Sequence, residues 1–264
     1  MKNIGGTPRP RLRKKARREQ ILLELKLHPH VRVSELAERF GVSTETVRRD
    51  FEALSADGLL FRAHGGGSAP MRGHYPGLDE RSRQGMEERE RIGRHAAGLV
   101  QPGDTLMIDA GSTTLQMARF LAYAGTPCTV LTNSLPVAMT LGQGETAEVI
   151  LCPGEYLASE SAVIGPETVA FIESHMVDQC FIGATAIDPR GVSETARGFA
   201  SVKRAMIRRS RRTNLLIIRD KMGGTGFARV CGLDDISALI TGAAPEGKLA
   251  RALDRSGVEA MVAT

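Results

Sequence analysis

The chain has 264 residues and a formal net charge of +5, with 42% hydrophobic and 25% charged residues. This balance excludes a disordered or fibrous protein, and the length allows one large domain or two unequal ones. The four cysteines lie far apart and form neither a C-x-x-C pair nor a zinc-finger pattern with histidine. We therefore expect reduced, mostly buried thiols rather than a disulfide framework, and we expect no metal and no cofactor.

Neither a membrane span nor a secretory signal is predicted. No apolar run approaches the roughly 18 residues that a membrane-spanning helix needs. The first apolar stretch, ILLELKL, is interrupted by Glu24 and Lys26, so it is not the apolar segment of a signal peptide. The sequence predicts a cytoplasmic protein without a membrane partner.

The positive charge is concentrated near the N-terminus. Residues 1–68 contain 14 Lys and Arg against 8 Asp and Glu, whereas the remaining 196 residues contain 21 against 22. Seven of the ten residues from Arg9 to Arg18 are basic. Such a cluster attracts polyanions through counterion release, although taken alone it is equally compatible with a solvated basic arm.

Helical spacing continues directly from this basic cluster. A first helix is predicted from Arg17, with Ile21 and Leu25 on one face. A second helix is predicted over VSELAERF with Ser34 as its N-cap. Gly41 follows it and supplies the tight turn that two steeply crossing helices need.

The third predicted helix, VSTETVRRDFEAL, has Ser43 as its N-cap and an apolar face of Val47, Phe51 and Leu54. A positioning helix, a small turn and an exposed second helix form a helix-turn-helix, whose second helix fits the major groove of DNA. There, arginine can bond guanine edges, and hydroxyls can contact phosphates or bases. The face opposite the apolar one carries Thr44, Glu45, Arg48, Arg49 and Glu52.

A short strand, 59–61, then leads to a basic, glycine-rich tip that is typical of a wing. The whole run resembles the winged helix-turn-helix of DeoR-type bacterial transcription regulators. The resemblance depends on V-S-x-x-T-[IV]-R-R-D, here Val42 to Asp50, and on the wing L-x-R-x-H-G-G, here Leu60 to Gly66. It implies a double-stranded DNA operator as partner. The candidate DNA-binding residues are Ser34, Ser43, Thr44, Thr46, Arg48, Arg49, Arg62 and His64.

Residues 69–86 are rich in proline, glycine and charge and are predicted to link a DNA-binding domain, 1–68, to a larger domain, 87–264. In the larger domain, short β-rich segments alternate with amphipathic helical segments. This alternation predicts an α/β fold with a largely parallel sheet covered by helices. Strands are predicted at 105–109, 129–132, 148–152, 179–183, 215–219, 238–241 and 258–263, and helices at 114–123, 166–174 and 201–209.

Polar residues follow two of these strands where each strand leads to a helix. After the first, Asp109 and Gly111 precede Ser112, Thr113 and Thr114, and after the second come 132–134, Thr-Asn-Ser. Backbone N–H groups at a helix N-terminus, with adjacent hydroxyls, suit a phosphate. A single loop of this kind is more often a simple helix cap, but the two loops converge on one edge of the sheet.

These polar segments resemble the DeoR-family effector domain, which is similar to the sugar-phosphate isomerase fold and binds a phosphorylated sugar or related metabolite. By that resemblance the first loop holds phosphate, while Asp109, Thr132 and Asn133 reach sugar hydroxyls and Lys203 supplies a positive charge. The usual D-x-S-K is Asp220-Lys221-Met222-Gly223 here, so its lysine is shifted by two places. The candidate effector-binding residues are Asp109, Gly111, Ser112, Thr113, Thr114, Thr132, Asn133, Ser134, Lys203 and Lys221.

The resemblance implies a transcription regulator, a repressor of a sugar catabolic operon that is controlled by a phosphorylated sugar-like effector. A homodimer or homotetramer is expected because recognition of paired half-sites needs two DNA-binding heads. Two alternatives stay open. The first is a sugar-phosphate isomerase-like enzyme with an appended DNA-binding head, for which Glu194 and Asp109 are available carboxylates. The second is a nonspecific nucleic-acid-binding protein that depends on the basic arm.

Overall fold

The chain forms two compact units, Met1–His74 and Tyr75–Thr264. The computed structural model describes residues 13–27, 30–56, 60–63, 65–68, 78 and 85–264. The predicted linker therefore lies outside the described residues, apart from Leu78 and its last two residues, and Met86 already belongs to a helix. No helix in the described part of the chain combines the length and the apolar character needed to cross a membrane.

The first unit is a winged helix-turn-helix, as predicted. Its three helices pack with a small antiparallel sheet in which the last strand lies between the other two. In chain order the elements are α1 (Lys14–Leu27), β1 (His30–Arg32), α2 (Val33–Phe40), α3 (Thr44–Ala56), β2 (Phe61–Ala63) and β3 (Gly66–Ser68).

The amphipathic pattern of the sequence produces the core of this unit. Val47, Phe51 and Leu54 of α3 are buried together with Ile21 and Leu25 of α1, as the helical spacing predicts. The turn between α2 and α3 is also as predicted. Gly41 adopts the left-handed conformation, with φ of 62°, that glycine accepts without strain, and its N–H caps the last carbonyls of α2.

The N-cap predicted at Ser34 is wrong, because the helix begins one residue earlier. Arg32, the last residue of β1, keeps an extended backbone and occupies the N-cap position. The N–H of Val33 donates to the carbonyl of Gly65 at 3.0 Å, so the small sheet fixes where α2 starts. Ser34 lies exposed in the first turn. The strand predicted at 59–61 is likewise displaced and spans Phe61–Ala63.

The described part of the second unit contains twelve strands, and seven of them form its main sheet. Its strands are β4 (Thr105–Ile108), β5 (Cys128–Thr132), β6 (Ala147–Leu151), β7 (Glu155–Leu157), β8 (Ala162–Ile164), β9 (Val177–Ile182), β10 (Ala186–Asp188), β11 (Gly191–Glu194), β12 (Ser210–Ile217), β13 (Ala228–Cys231), β14 (Ala238–Thr241) and β15 (Glu259–Val262). Its helices are α4 (Met86–Ala97), α5 (Ser112–Ala124), α6 (Leu135–Leu141), α7 (Pro166–Glu173), α8 (Arg197–Arg208) and α9 (Gly247–Arg255).

The sheet has the order β15-β14-β12-β9-β4-β5-β6, and every strand pair in it is parallel. All seven predicted strands belong to it, and the three predicted helices are found as α5, α7 and α8. Successive residues of β4 alternate between two apolar clusters: Met107 packs in one, and Leu106 and Ile108 pack in the other. Both faces are therefore covered, which is typical of a parallel sheet.

The four cysteines are free and buried, as predicted. Burial raises the pKa of Cys152 and Cys231 to about 12 and that of Cys180 to about 11. The pKa of Cys128 is also raised by burial. These thiols are therefore protonated at neutral pH and serve as small apolar groups of the core.

Candidate DNA-binding surface and effector site

The exposed face of α3 carries the side chains that the sequence predicts there. Arg48 and Arg49 have side chains that are 59% and 76% exposed. The carboxylate of Glu45 lies 3.9 Å from Nη1 of Arg48 and 3.4 Å from Nε of Arg49. Exposed ion pairs of this kind contribute only about 0–1 kcal/mol, so both guanidinium groups can exchange Glu45 for another anion at little cost.

The start of α3 is capped as predicted. The Ser43 hydroxyl accepts a hydrogen bond from the N–H of Thr46 at 3.2 Å, and the two hydroxyl oxygens lie 2.9 Å apart. Thr44 is exposed and Thr46 is half-buried. The contacts of these residues with DNA stay predictions.

The wing residues are described only in part. Arg62 lies at the centre of β2, opposite Gly67 of β3. His64 lies outside the described residues. The DNA contacts of both residues stay predictions.

Asp50, the last residue of the V-S-x-x-T-[IV]-R-R-D motif, has a structural role that the sequence analysis missed. It is only 1% exposed, and its carboxylate pairs with Nε of Arg17 at 2.5 Å and with Nε of Arg18 at 3.2 Å. This pairing ties α1 to α3. A carboxylate on the buried face that also carries Val47 and Leu54 is the sequence feature that could have indicated it.

In the second unit, charged residues meet where the central strands end. Asp109 follows β4, and both its carboxylate oxygens accept a hydrogen bond at 3.1 Å from the N–H of Gly183, which follows the neighbouring strand β9. The ammonium of Lys203, on α8, donates to Asp109 and lies 3.3 Å from Glu194. The structure thus joins two candidate residues, Asp109 and Lys203, and adds Glu194.

This buried cluster holds two carboxylates around one ammonium. Burial alone would lower the pKa of Lys203, which is 2% exposed, but Asp109 and Glu194 raise it well above its usual range. Burial raises the pKa of Asp109, an effect that Lys203 and the N–H of Gly183 oppose. Glu194 also accepts a hydrogen bond from the Thr185 hydroxyl at 2.7 Å. Lys203 is therefore the cationic centre of a polar site rather than a solvated surface lysine.

Helix α5 begins three residues after Asp109. Gly111 is its N-cap, and the N–H groups of Ser112, Thr113 and Thr114 donate to no described residue. Ser112 is 4% exposed, and within the described residues its hydroxyl has no hydrogen-bond partner. The hydroxyl of Thr114 donates to the carbonyls of Asp109 and Gly111 at 2.9 and 3.0 Å. Ser112 thus offers a free hydroxyl, whereas that of Thr114 stabilises the loop.

Arg89 is a further functional candidate that the sequence analysis missed. It is buried on α4, and its Nη1 donates to the Thr113 hydroxyl at 2.6 Å. Gly93, one turn later, permits this contact, because a Cβ there would lie only 2.7 Å from the backbone nitrogen of Met117 on α5. The close packing of α4 against α5 places a cation behind the N-terminus of α5. Arg89 shares the buried face of α4 with Ile92, and that spacing could have indicated it.

The side chains of the second polar loop all form hydrogen bonds within the protein, two of them to the segment that leads into the first loop. The Thr132 hydroxyl donates to the carbonyl of Ile108 at 2.6 Å. Asn133 accepts from the N–H of Ala110 at 3.1 Å and donates to a carbonyl at 3.0 Å. Ser134 caps α6. All three side chains are buried, and their contact with an effector stays a prediction.

Lys221 lies near the same edge of the sheet. Its ammonium donates at 2.7 Å to the carbonyl of Ala184, the residue that follows Gly183. The shifted lysine of the Asp220 segment therefore ends beside the strand that positions Asp109. Its contact with an effector also stays a prediction.

A winged helix-turn-helix followed by an α/β unit with a polar, charged site defines the class of ligand-responsive DNA-binding regulators. Residues 17–71 match the model of the DeoR-like helix-turn-helix domain, and residues 84–243 match that of the DeoR C terminal sensor domain. The chain belongs to the DeoR family of transcription regulators, which confirms the resemblance found in its motifs.

Relatives match over nearly the whole chain. The chain is 31% identical to the HTH-type transcriptional repressor GlcR of Bacillus subtilis (strain 168), over 92% of this chain and 93% of that protein. It is 32% identical to the glycerol-3-phosphate regulon repressor of Escherichia coli (strain K12), over 88% of this chain and 92% of that protein. Among solved structures, it is similar to ribose 5-phosphate isomerase A of Methanocaldococcus jannaschii, with 15% identity and a TM-score of 0.39 over 52% of this chain and 54% of that chain.

Proposed function

We propose that this protein represses a sugar or carbohydrate catabolic operon and that a phosphorylated sugar-like effector controls its binding to the operator. The observation that carries the proposal is the start of α5, where N–H groups and the hydroxyl of Ser112, unpaired among the described residues, lie beside a cluster of buried charges. The name of one relative, a glycerol-3-phosphate regulon repressor, supports a phosphorylated carbohydrate as effector.

One end of the site suits a phosphate, and the other suits the hydroxyl groups of a sugar. Helix N-termini favour anions through their unpaired N–H groups and the helix dipole, and Arg89 adds a positive charge behind Thr113. The phosphate therefore binds at Ser112–Thr114. Asp109 and Glu194 are acceptors for sugar hydroxyls, and Lys203 is a donor. Gly111 lies between the two ends, since a Cβ there would be 3.7 Å from Oδ1 of Asp109.

The role is regulatory rather than catalytic, and it is carried out by a homo-oligomer, a dimer or a tetramer, in the cytoplasm. Paired half-sites of an operator require two DNA-binding heads at a fixed separation. Effector binding changes operator affinity only if the effector binds one arrangement of the oligomer more tightly than the other. No turnover of pentose or hexose phosphates is expected, and incubation with a panel of these compounds tests that expectation.

The experiment that tests the proposal is a gel shift with the intergenic DNA upstream of the neighbouring genes, titrated with sugar phosphates. We expect retardation at moderate salt and a change in retardation with one phosphorylated sugar. Absence of retardation would contradict the operator claim. Retardation that no phosphorylated compound alters would contradict the effector claim alone.

Arg48→Ala is expected to weaken operator binding by about 1–3 kcal/mol, the usual contribution of a good base contact. The guanidinium of Arg48 is exposed and held only by a weak ion pair with Glu45. Fluorescence anisotropy on operator and unrelated duplexes measures the effect, with Arg251→Ala on α9 as a control. An equal loss on both duplexes would make Arg48 a phosphate contact instead.

Ser112→Asp is expected to abolish the effector response while operator binding persists. A carboxylate at the first residue of α5 repels a phosphate, although it is favourable to the helix itself. Ser112→Asn, which is similar in size but neutral, is the matched control and should retain a response. Isothermal titration with the active sugar phosphate gives the measurement, and a normal response of the Asp variant would mean that the phosphate binds elsewhere.

A further inference from the structure

We propose that Arg13, Lys14 and Lys15, together called the α1 patch, contact phosphates of duplex DNA outside the bases that α3 reaches. This inference rests on the proposed function, because it assumes that the first unit binds operator DNA. It divides the basic cluster of residues 9–18 into residues that stabilise the protein and residues that are available to bind DNA.

Ion pairing in the first unit distinguishes the α1 patch from the other described cations. The α1 patch is exposed, and none of its three side chains pairs with a carboxylate of any described residue. The other six cations of this unit whose side chains the structure describes each lie 3.9 Å or less from a carboxylate oxygen; they are Arg17, Arg18, Arg32, Arg39, Arg48 and Arg49. Among the described cations of the first unit, those of the α1 patch are therefore the ones that no described carboxylate of the protein neutralises.

The α1 patch is also unfavourable to the helix at whose start it lies. Cations near the N-terminus of a helix oppose its dipole, and the first turn of α1 contains no acidic residue to offset them. The patch thus weakens α1 instead of stabilising it. An external polyanion reverses that effect, because it neutralises the three cations at the same position.

The ion pairs between α1 and α3 also fix the distance between the patch and α3. Arg13 precedes Arg17 by four residues, and Lys14 precedes Arg18 by four residues, which is about one helical turn in each case. Arg17 and Arg18 are held by Asp50, which directly follows Arg49 in α3. The buried carboxylate of Asp50 therefore fixes the α1 patch about one turn from the ion pairs that hold α1 against the recognition helix.

Phosphate contacts have a recognisable energetic signature. They carry no sequence information, and each one steepens the fall of log K with log[salt] by about 0.9. The α1 patch should therefore contribute equally to operator and unrelated DNA. This separates it from base contacts such as that predicted for Arg48.

The test compares the full chain with the variant R13Q/K14Q/K15Q by fluorescence anisotropy on operator and unrelated duplexes at several salt concentrations. The matched control is K248Q/R251Q/R255Q, which removes three exposed cations from α9 in the second unit and changes the net charge equally. A charge-preserving variant, R13K/K14R/K15R, controls for folding of α1.

We expect the salt slope of R13Q/K14Q/K15Q to become shallower by about 2–3 on both duplexes, so that its affinity loss between about 50 and 200 mM salt is about 16- to 64-fold smaller. The ratio of operator to unrelated affinity should stay constant, and both control variants should keep the wild-type slope. An unchanged slope, or an equal change in the α9 control, overturns the inference. A wild-type protein that binds no operator contradicts the proposed function instead.

Discussion

Replacing Lys203 with methionine should destabilise the second unit by about 3–5 kcal/mol, the usual cost of removing one partner from a buried ion pair. The side chain is buried between Asp109 and Glu194, and methionine conserves much of its volume. The cost therefore arises from leaving two carboxylates without a counter-charge. Urea unfolding followed by hydrogen exchange of β4 and β9 measures this unit separately, and Lys248→Met on α9 is the exposed control.

The loss of stability in the Lys203→Met variant should depend on pH. Burial already raises the pKa of Asp109, and removal of the ammonium removes the main effect that opposes it. A group whose pKa is raised by folding contributes stability at low pH and loses it as pH rises through the folded value. The free energy of unfolding of Lys203→Met should therefore be closer to that of wild type near pH 5 than near pH 8. In wild type the raised pKa of Lys203 keeps the ammonium charged at both values.

A compensating variant distinguishes charge from packing in this cluster. If unpaired charge causes the deficit, K203M/D109N/E194Q should be more stable than Lys203→Met, because uncharged groups of similar shape cost less to bury than unpaired ions. If the triple variant is as unstable as the single one, the deficit comes from packing of α8. An unaltered stability of Lys203→Met would mean that the cluster contributes nothing to folding.

The sequence predicts the main sheet well because the hydrophobic pattern of each strand lies within a few neighbouring residues. The buried parts of the sheet's central strands are short apolar runs, because burial on both faces requires such runs, as the alternation of Leu106, Met107 and Ile108 between two cores illustrates. The antiparallel pairs β7–β8 and β10–β11 were not predicted. Their strands have only three or four residues, too few for a clear periodicity.

The candidate site could be predicted only in part, since its ion pairs join distant segments. Asp109 and Lys203 were predicted separately from motifs, but the pair is 94 residues apart in sequence. Arg89 and Glu194 were not predicted as effector-site residues at all. Their positions depend on helix packing at Gly93 and on a short antiparallel strand, neither of which a local pattern specifies.

Asp50→Asn should destabilise the first unit by about 3–5 kcal/mol, because it removes the charge of the carboxylate that pairs with the buried guanidinium of Arg17. Asparagine has the same shape as aspartate, so the change tests charge rather than volume. Hydrogen exchange of α1 and α3 should accelerate by about 150- to 5,000-fold where exchange follows unfolding of this unit, since about 1.4 kcal/mol corresponds to a factor of 10. Glu38→Gln, on the exposed face of α2, is the control.

Operator binding distinguishes the positioning role of Asp50 from a direct contact with DNA. Asp50 is buried, so it cannot touch DNA, yet Asp50→Asn should weaken operator binding because α1 no longer holds α3 in one orientation. Replacing the charged group by apolar residues, Asp50→Leu with Arg17→Met, should recover stability, as removal of a whole buried pair often does. If that variant is stable but still binds operator weakly, the ion pair orients the recognition helix beyond its contribution to folding. If it binds normally, Asp50 serves stability alone.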